Sequence, residues 1–337
     1  MLAAGPAQSS RDTTGKLRNV ATNVLSPDCL PLRPTDRTGL AIVLSLVALT
    51  LFDAMGLVIK HLSVTYSAAE LSAWRNLFGI IPAVIALSLS RKWHSSGRRL
   101  RIRQWKLAIM RGVVVTFAQL FFYMSLGLMA FATASTITYA NALFMTALAV
   151  PLLGEKVGWI RWSAVLVGFV GVVLVMKPGS DAFTPVALLP LAAAAFYALV
   201  TVQARQMDED VPSPLVNLYS SVAALFGAII LALVFGGFSP IASWADLGWI
   251  AAMGAFGGTA VLLLVVSYRM TEPSNLAPFS YFGIPLAFLL GWLFFGETPW
   301  DALFPGALLI AAGGLLIIWR ERQRSRISAA RPDAAGK

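Results

Sequence analysis

Apolar runs of about 20 residues recur along the chain from Gly39 to Trp319, separated by short polar segments. A helix that crosses a bilayer needs about 20 predominantly apolar residues, so each run is long enough to span a membrane. Of the 337 residues, 58% are hydrophobic and only 12% are charged, about half the charged share of a soluble domain. The sequence therefore predicts an all-α, polytopic membrane protein. It excludes a soluble enzyme, a nucleic-acid-binding domain and a secreted disulfide scaffold.

Ten transmembrane helices can be drawn through these runs, and the loops between them are too short to hold a further domain. Cys29 precedes the first helix and is the only cysteine, so an internal disulfide is excluded. The two histidines, His61 and His94, lie at loop edges, which excludes a His-rich metal site; no metal or cofactor is expected. The helices are predicted at residues 39–60, 69–90, 105–128, 133–153, 160–176, 184–204, 214–236, 247–268, 275–296 and 302–319.

The distribution of positive charge predicts the orientation of the chain. With the N-terminus in the cytosol, 21 of the 26 Lys and Arg residues fall on the cytosolic side and only Lys60 and Lys177 on the outer side. Cytosolic loops of membrane proteins carry such an excess of Lys and Arg. We therefore expect a multi-pass protein of the cell inner membrane with both termini in the cytosol. Residues 1–38 are predicted to be a disordered tail and residues 320–337 a basic tail.

An internal repeat relates the two halves of the chain. Aligning Glu155 with Glu297 fixes an offset of 142 residues, which places five predicted helices on the other five. Because five is an odd number, the second unit must be inverted relative to the first. Inverted repeats that enclose a site near the middle of the membrane are typical of secondary transporters. The same offset pairs Gly154 with Gly296, Tyr139 with Tyr281, Gly171 with Gly313, Gly112 with Gly254, Ser125 with Ser267 and Arg75 with Asn217.

These motifs resemble the drug/metabolite transporter superfamily, in particular its ten-helix branch with two EamA-type domains. The resemblance rests on the repeated pattern of an apolar helix, a Gly-Glu pair and a glycine-bearing helix, and on the segment Tyr281–Glu297. It implies a first EamA-type repeat at residues 39–178 and a second at residues 179–319. The segments Tyr66–Gly79 and Arg103–Gly112 are similar to members that take up S-adenosylmethionine or riboflavin.

One position departs from the family pattern. Members usually carry a proline about twelve residues before the first Gly-Glu pair, whereas Asn141-Ala142-Leu143 stands here. This substitution puts in doubt a kink in the fourth helix, and it makes Asn141 a candidate site residue. Glu155 and Glu297 lie at helix ends, and we expect them to cap or anchor loops rather than contact substrate.

Asp53 and Arg75 are the most informative charged residues within the predicted helices. Each lies roughly 10 Å inside the outer boundary at 1.5 Å per residue, and an unpaired charge at mid-helix costs about 2.5–3.5 kcal/mol on insertion scales. Pairing between adjacent antiparallel helices would offset that cost. The pair is either a gate or substrate anchor, or a buried ion pair that fixes the register of the helices.

Polar and aromatic residues inside the other helices complete the candidate solute site. Single Ser and Thr residues serve as interhelical hydrogen-bonding groups more often than as cavity lining. Larger polar and aromatic side chains at similar depth favour a cavity, and aromatic rings suit a flat organic solute. Besides Asp53 and Arg75, the predicted substrate-binding or gating residues are Asn76, Gln119, Tyr123, Tyr139, Asn141, Tyr197, Asn217 and Tyr281.

The function predicted from these features is secondary transport of a small organic metabolite by alternating access, without enzymatic activity. The first substrate hypothesis is uptake of riboflavin or another aromatic or heterocyclic metabolite; the alternative is export of an amino acid or metabolite. A membrane-embedded transferase is a remote alternative, because Asp208-Glu209-Asp210 is the only acidic cluster. The expected partners are the solute and the lipid bilayer, with a homodimer as an option and no nucleic acid.

Overall fold

The computed structural model describes residues 34–95, 97, 100–154, 158–176, 185–208, 211–271, 276, 279, 281–298 and 304–329. Within these residues the chain is helical and contains no strand. The helices are α1 (Pro34–Leu62), α2 (Ala68–Ser88), α3 (Arg91–Ser95), α4 (Trp105–Leu128), α5 (Phe131–Thr138), α6 (Asn141–Leu153), α7 (Trp159–Met176), α8 (Leu188–Arg205), α9 (Ser213–Val234), α10 (Trp244–Met270), α11 (Gly283–Phe295) and α12 (Gly306–Ala329).

The lengths and apolar character of these helices confirm a polytopic membrane protein. Seven spans in the described residues are long and apolar enough to cross a bilayer, counting α5 and α6 together as one span. Three shorter apolar helices accompany them, at Trp162–Met176, Gly283–Phe295 and Gly306–Leu316. Among the ends that differ from the predicted boundaries, α1 begins at Pro34 rather than at residue 39, and α12 continues to Ala329 rather than to residue 319. Of the disordered tail predicted at residues 1–38, residues 1–33 lie outside the described residues.

The predicted single helix at residues 133–153 is wrong in one respect, because it is interrupted between α5 and α6. At the interruption, the backbone N–H groups of Ala140 and Leu143 donate to the carbonyls of Ile137 and Ala140, three residues back rather than four. Such tight 3₁₀-type turns mark a local change of helix geometry. The doubt that Asn141 raised about a kink was therefore misplaced, since the helix is interrupted here without a proline.

Several helix ends are separated by the same 142 residues. Helix α6 begins at Asn141 and α11 at Gly283, and both are 13 residues long. Both end at a glycine in the left-handed conformation, Gly154 with φ 69° and Gly296 with φ 64°, a backbone geometry that favours glycine. Likewise α4 ends at Leu128 and α10 at Met270.

The packing of the helices has a regular pattern as well. Helix α10 packs on α1 and α2, while α4 packs on α8 and α9; α11 packs on α1, while α6 packs on α8. In each of these statements the first contact corresponds to the second when the helices of the two halves are matched in order. The match is α1 with α8, α2 with α9, α4 with α10, the α5–α6 span with α11, and α7 with α12. The contacts of α2 with α9, α5 with α11 and α7 with α12 map onto themselves, whereas α2 packs on α4 without a comparable contact between α9 and α10 in the described residues.

Helices α7 and α12 approach each other closely enough for their backbones to touch. A Cβ atom on Gly171 would lie 2.7 Å from the Gly306 carbonyl oxygen, and one on Gly306 would lie 2.6 Å from the Gly171 carbonyl oxygen. A Cβ on Gly313 would lie 2.8 Å from the Ala164 carbonyl oxygen. Small residues permit such backbone contact between membrane helices. In lipid, where the hydrophobic effect does not drive helices together, this close van der Waals packing is a main source of their association.

Candidate functional site

Arg75 lies in the middle of the bundle against the face of α10. A Cβ atom on Gly257 would lie 3.0 Å from its Nε and 3.1 Å from its Nη2, so the guanidinium rests where a side chain of α10 would otherwise stand. Its Nη1 donates a 3.2 Å hydrogen bond to Asn76 Oδ1, and its Nε is buried without a hydrogen-bond partner in the described chain. An intramembrane arginine placed in this way is a functional-site candidate.

The predicted ion pair between Asp53 and Arg75 is not formed. Asp53 is 7% exposed, its Oδ2 has no hydrogen-bond partner among the described residues, and the two groups are not within the 4.0 Å ion-pairing distance. The prediction assumed that α1 and α2 are neighbours because they are consecutive. In the structure α10 lies between them and packs on both. At Gly257 of α10, both helices come together, with Met55 of α1 and Arg75 of α2 against the same position.

Asn76 and Gln119 form a hydrogen-bonded group that fixes α2 against α4. Asn76 Nδ2 and Ser72 Oγ donate to Gln119 Oε1 over 2.7 and 2.8 Å, and Asn76 Nδ2 also donates to the Ser72 carbonyl over 2.9 Å. All three side chains are at most 3% exposed. Because Asn76 Oδ1 in turn accepts from Arg75, this group sets the position of the guanidinium rather than lining an open cavity.

Replacing Gln119 by leucine is expected to destabilise the protein by about 1–3 kcal/mol, because the buried Ser72 hydroxyl and Asn76 amide lose their shared acceptor. Thermal unfolding of the detergent-purified protein measures the change. The matched control is Thr50→Val, since the exposed Thr50 hydroxyl bonds only to the Leu46 carbonyl of its own helix. Equal unfolding temperatures for the two variants would contradict this role of Gln119.

Four tyrosines surround the two charges in two pairs. Tyr123 and Tyr197 lie within electrostatic range of Arg75 and of each other. Tyr139 lies within electrostatic range of Asp53, and its ring centroid is 6.3 Å from that of Tyr281. The hydroxyls of Tyr123 and Tyr281 are buried without a hydrogen-bond partner in the described chain.

Two glycines accommodate the second pair of tyrosines. A Cβ atom on Gly283 would overlap the Tyr139 hydroxyl, and one on Gly314 would overlap the Tyr281 hydroxyl. The Tyr139 hydroxyl thus lies directly on the first residue of α11. Neither contact could be predicted from the sequence, because a glycine inside an apolar helix does not indicate which side chain lies over it.

The two predicted asparagines are in different surroundings. Asn217 lines a narrow cleft between α2, α9 and α10 that has Arg75 at one extreme and Ala86 at the other. Asn141 is half-buried at the start of α6, directly after the interruption next to Tyr139. Both side chains are half-buried, and neither side-chain amide makes a hydrogen bond within the described part of the chain. Both amides therefore keep their donors and acceptors available.

The opposite end of the bundle, where α1 ends and α2 begins, is closed by polar contacts; we call it the Glu297 end. Lys60 Nζ lies 2.6 Å from Glu297 Oε1 and donates to the Met129 carbonyl over 2.7 Å. The Phe131 backbone N–H donates to Glu297 Oε2 over 2.7 Å. Glu297 thereby joins the ends of α1, α4, α5 and α11, which confirms that it anchors loops. Glu155 lies outside the described residues.

A second set of contacts closes the same end between α1, α2 and α10. The Tyr66 hydroxyl donates to Asp246 Oδ2 and accepts from the Ala242 backbone N–H, each over 2.9 Å. Glu70 accepts from the Ser239 backbone N–H and from the Ser67 N–H at the start of α2. Sequence reasoning did not find the Tyr66–Asp246 bond, since the two residues are 180 positions apart. Residues 209 and 210 of the acidic cluster lie outside the described residues.

The comparison with protein families identifies the architecture. The sequence profile of the EamA-like transporter family matches residues 39–177 and again residues 184–319. The chain belongs to the EamA-like transporter family. A solved crystal structure that covers 84% of this EamA-like chain and 98% of its own has a TM-score of 0.58 at 20% sequence identity, which shows a shared fold. The protein is therefore a membrane transporter and not an enzyme.

The relatives of this EamA-like transporter carry several different solutes. The S-adenosylmethionine uptake transporter of Rickettsia bellii is 25% identical over 83% of this chain and 93% of its own length. The riboflavin transporter of Vibrio cholerae is 32% identical over 52% of this chain and 58% of its own length. The pseudopaline exporter of Pseudomonas aeruginosa is 24% identical over 82% of this chain and 93% of its own length.

Proposed function

We propose that this chain is a secondary transporter that imports a small heterocyclic metabolite across the cell inner membrane by alternating access. The observation that carries the proposal is the central group of Asp53, Arg75 and four tyrosines, which holds unpaired polar groups at the middle of an apolar bundle. Buried polar groups are normally satisfied by hydrogen bonds. Groups left unsatisfied in a transporter are the natural ligands of its solute.

The arrangement of the helices supports two inverted five-helix repeats, the first beginning at α1 and the second at α8. Helix ends recur at an offset of 142 residues, and the major contacts exchange between the halves. With an odd number of spans in each half, the halves have opposite orientations and enclose the solute site between them. The candidate site lies where α1, α2 and α4 of the first half meet α8, α10 and α11 of the second.

The contacts at the two ends support alternating access. The Glu297 end is closed by the Lys60–Glu297 pair and the Tyr66–Asp246 hydrogen bond, whereas the cleft from Arg75 runs along α2 in the other direction. The excess of Lys and Arg favours a cytosolic location for both termini, and so for this other end. On that orientation the protein is closed toward the outside. Transport requires a second state in which the contacts of the Glu297 end are broken.

The solute is proposed to be S-adenosylmethionine or riboflavin, heterocycles named for an uptake transporter and a transporter among the relatives. Cells that express the chain are expected to accumulate labelled S-adenosylmethionine or riboflavin faster than cells that carry an empty vector. The Arg75→Gln variant should reduce that uptake to the background rate. Efflux from preloaded cells without any uptake would favour the export alternative, and the absence of flux for either solute in both directions would contradict the proposal.

A further inference from the structure

The Arg75 guanidinium is held in place but not satisfied. A guanidinium has five N–H donors, and the described chain provides Arg75 with one hydrogen bond, to Asn76. Asn76 is itself fixed by Ser72 and Gln119 in a fully buried group. The guanidinium therefore has a defined orientation and donors that remain free. A carboxylate is the group that accepts from such a fork most favourably, by two parallel hydrogen bonds.

The Asp53 carboxylate is also buried and unpaired, and its helix α1 packs on α10 as α2 does. It is 7% exposed and Oδ2 has no hydrogen-bond partner in the described chain. Burying a lone charge is costly unless an opposite charge compensates it. The obvious compensating group, Arg75, is not within ion-pairing distance of it. A cationic group brought by a solute would satisfy the carboxylate.

We infer that the site is built for a zwitterion, a solute whose carboxylate binds Arg75 and whose cationic group, an ammonium or sulfonium, binds Asp53. This inference rests on the proposed function and names the substrate class for the same site. Four tyrosines lie nearby: Tyr123 and Tyr197 near Arg75, Tyr139 near Asp53, and Tyr281 with its ring centroid 6.3 Å from that of Tyr139. An aromatic group on the zwitterion would stack on these rings.

The inference separates the two candidate solutes. S-Adenosylmethionine carries a carboxylate, an ammonium, a sulfonium and an adenine ring, so it can satisfy both charges and the tyrosines. Riboflavin carries neither a carboxylate nor a permanent cation, and it would leave Asp53 and Arg75 buried without charged partners. A zwitterionic amino acid without a ring would satisfy the charges but not the aromatic surface. The expected order of affinity is therefore S-adenosylmethionine, then the amino acid methionine, then riboflavin.

The test is a competition experiment on the full chain in lipid nanodiscs, with tritiated S-adenosylmethionine as the probe. Removing the carboxylate, as in decarboxylated S-adenosylmethionine, should weaken binding about tenfold or more, the usual effect of losing a charged hydrogen bond. Removing both the carboxylate and the cations, as in methylthioadenosine, should weaken it further. Arg75→Gln should bind the parent and the decarboxylated compound equally, whereas Arg75→Lys should retain part of the preference. Asp53→Asn should lose discrimination between analogues that differ only in the cation.

The outcomes distinguish this inference from the proposed function. If the wild-type protein binds all of these adenine compounds equally, the zwitterion site is wrong even where transport occurs. If the carboxylate preference is present but no uptake of either solute is seen, the site stands and the proposed import is wrong. If Arg75→Gln does not fold, as judged by gel filtration, the analogue series on the wild-type protein alone decides. Binding of riboflavin more tightly than S-adenosylmethionine would also overturn the inference.

Discussion

Replacing Gly171 by leucine is expected to prevent stable folding of the protein. Its Cβ position lies 2.7 Å from both the Gly306 carbonyl oxygen and the Ile310 backbone nitrogen, so a side chain there would overlap backbone rather than movable groups. Overpacking a core typically costs about 1–3 kcal/mol when side chains can adjust. Here α7 and α12 must move apart as whole helices, and the cost is larger. We expect little or no monodisperse protein on gel filtration.

A graded series makes this prediction quantitative. Gly171→Ala should lower the unfolding temperature measurably, because even one methyl group overlaps the backbone of α12. The control is Gly248→Ala in α10, where nothing lies within 4 Å of the Cβ position. There alanine should stabilise the helix by up to about 1 kcal/mol. If Gly171→Leu unfolds at the wild-type temperature, the contact between α7 and α12 is not as close as described.

Replacing Glu297 by glutamine is expected to open the Glu297 end of the protein. Glutamine keeps the size of the side chain and can still accept from the Phe131 N–H, but it removes the charge that pairs with Lys60. The Lys60 side chain is only 15% exposed, and removing one partner of a buried ion pair costs about 3–5 kcal/mol. The closed state alone bears that cost, so the equilibrium shifts toward the state open at this end.

Cysteine labelling measures the shift. In a Cys29→Ser background, a cysteine in place of Ala134, which is fully buried in the core cluster beneath Glu297, should react slowly with a membrane-impermeant maleimide. Adding Glu297→Gln should raise the reaction rate about tenfold or more, since 1.4 kcal/mol corresponds to a factor of ten in population. A cysteine in place of the exposed Ala245 gives the rate for an open position.

Two controls show whether the charge pair itself is responsible. Asp208→Asn removes an exposed acidic group near the end of α8, away from Lys60, and should leave labelling unchanged. Lys60→Arg keeps a positive charge that can pair with Glu297 and donors for the Met129 carbonyl, so it should leave labelling slow. Slow labelling in Glu297→Gln would show that another contact keeps this end closed.

The sequence predicted the class of fold because hydrophobic runs of membrane length leave few alternatives. Its helix boundaries follow the structure closely where a run is bounded by polar residues, as in α4 at Trp105–Leu128. They fail at Tyr139, where the interruption between α5 and α6 occurs within an apolar run and without proline. Tertiary packing decides there whether a backbone N–H bonds to the carbonyl three or four residues back. The hydrophobicity of the residues does not indicate which of the two forms.

The candidate site was predicted in its membership but not in its arrangement. Intramembrane charge and polarity are costly, so Asp53, Arg75 and the tyrosines could be identified one by one. Their partners depend on which helices are neighbours: α2 packs directly on α4, whereas α1 and α2 both pack on α10 from the other half of the chain. The pairing of Asn76 with Gln119 follows from the first contact, and the support of Arg75 at Gly257 follows from the second. A single sequence does not indicate which helices are neighbours.

The position of α10 between α1 and α2 has a mechanical consequence. A solute that contacts Arg75 also lies against α10 at Gly257, and α10 belongs to the other half of the chain. Binding therefore acts on the contact between the two halves. On the proposed mechanism, loading and release of the solute would tighten and loosen the same contact that must change when the protein switches between its two open states.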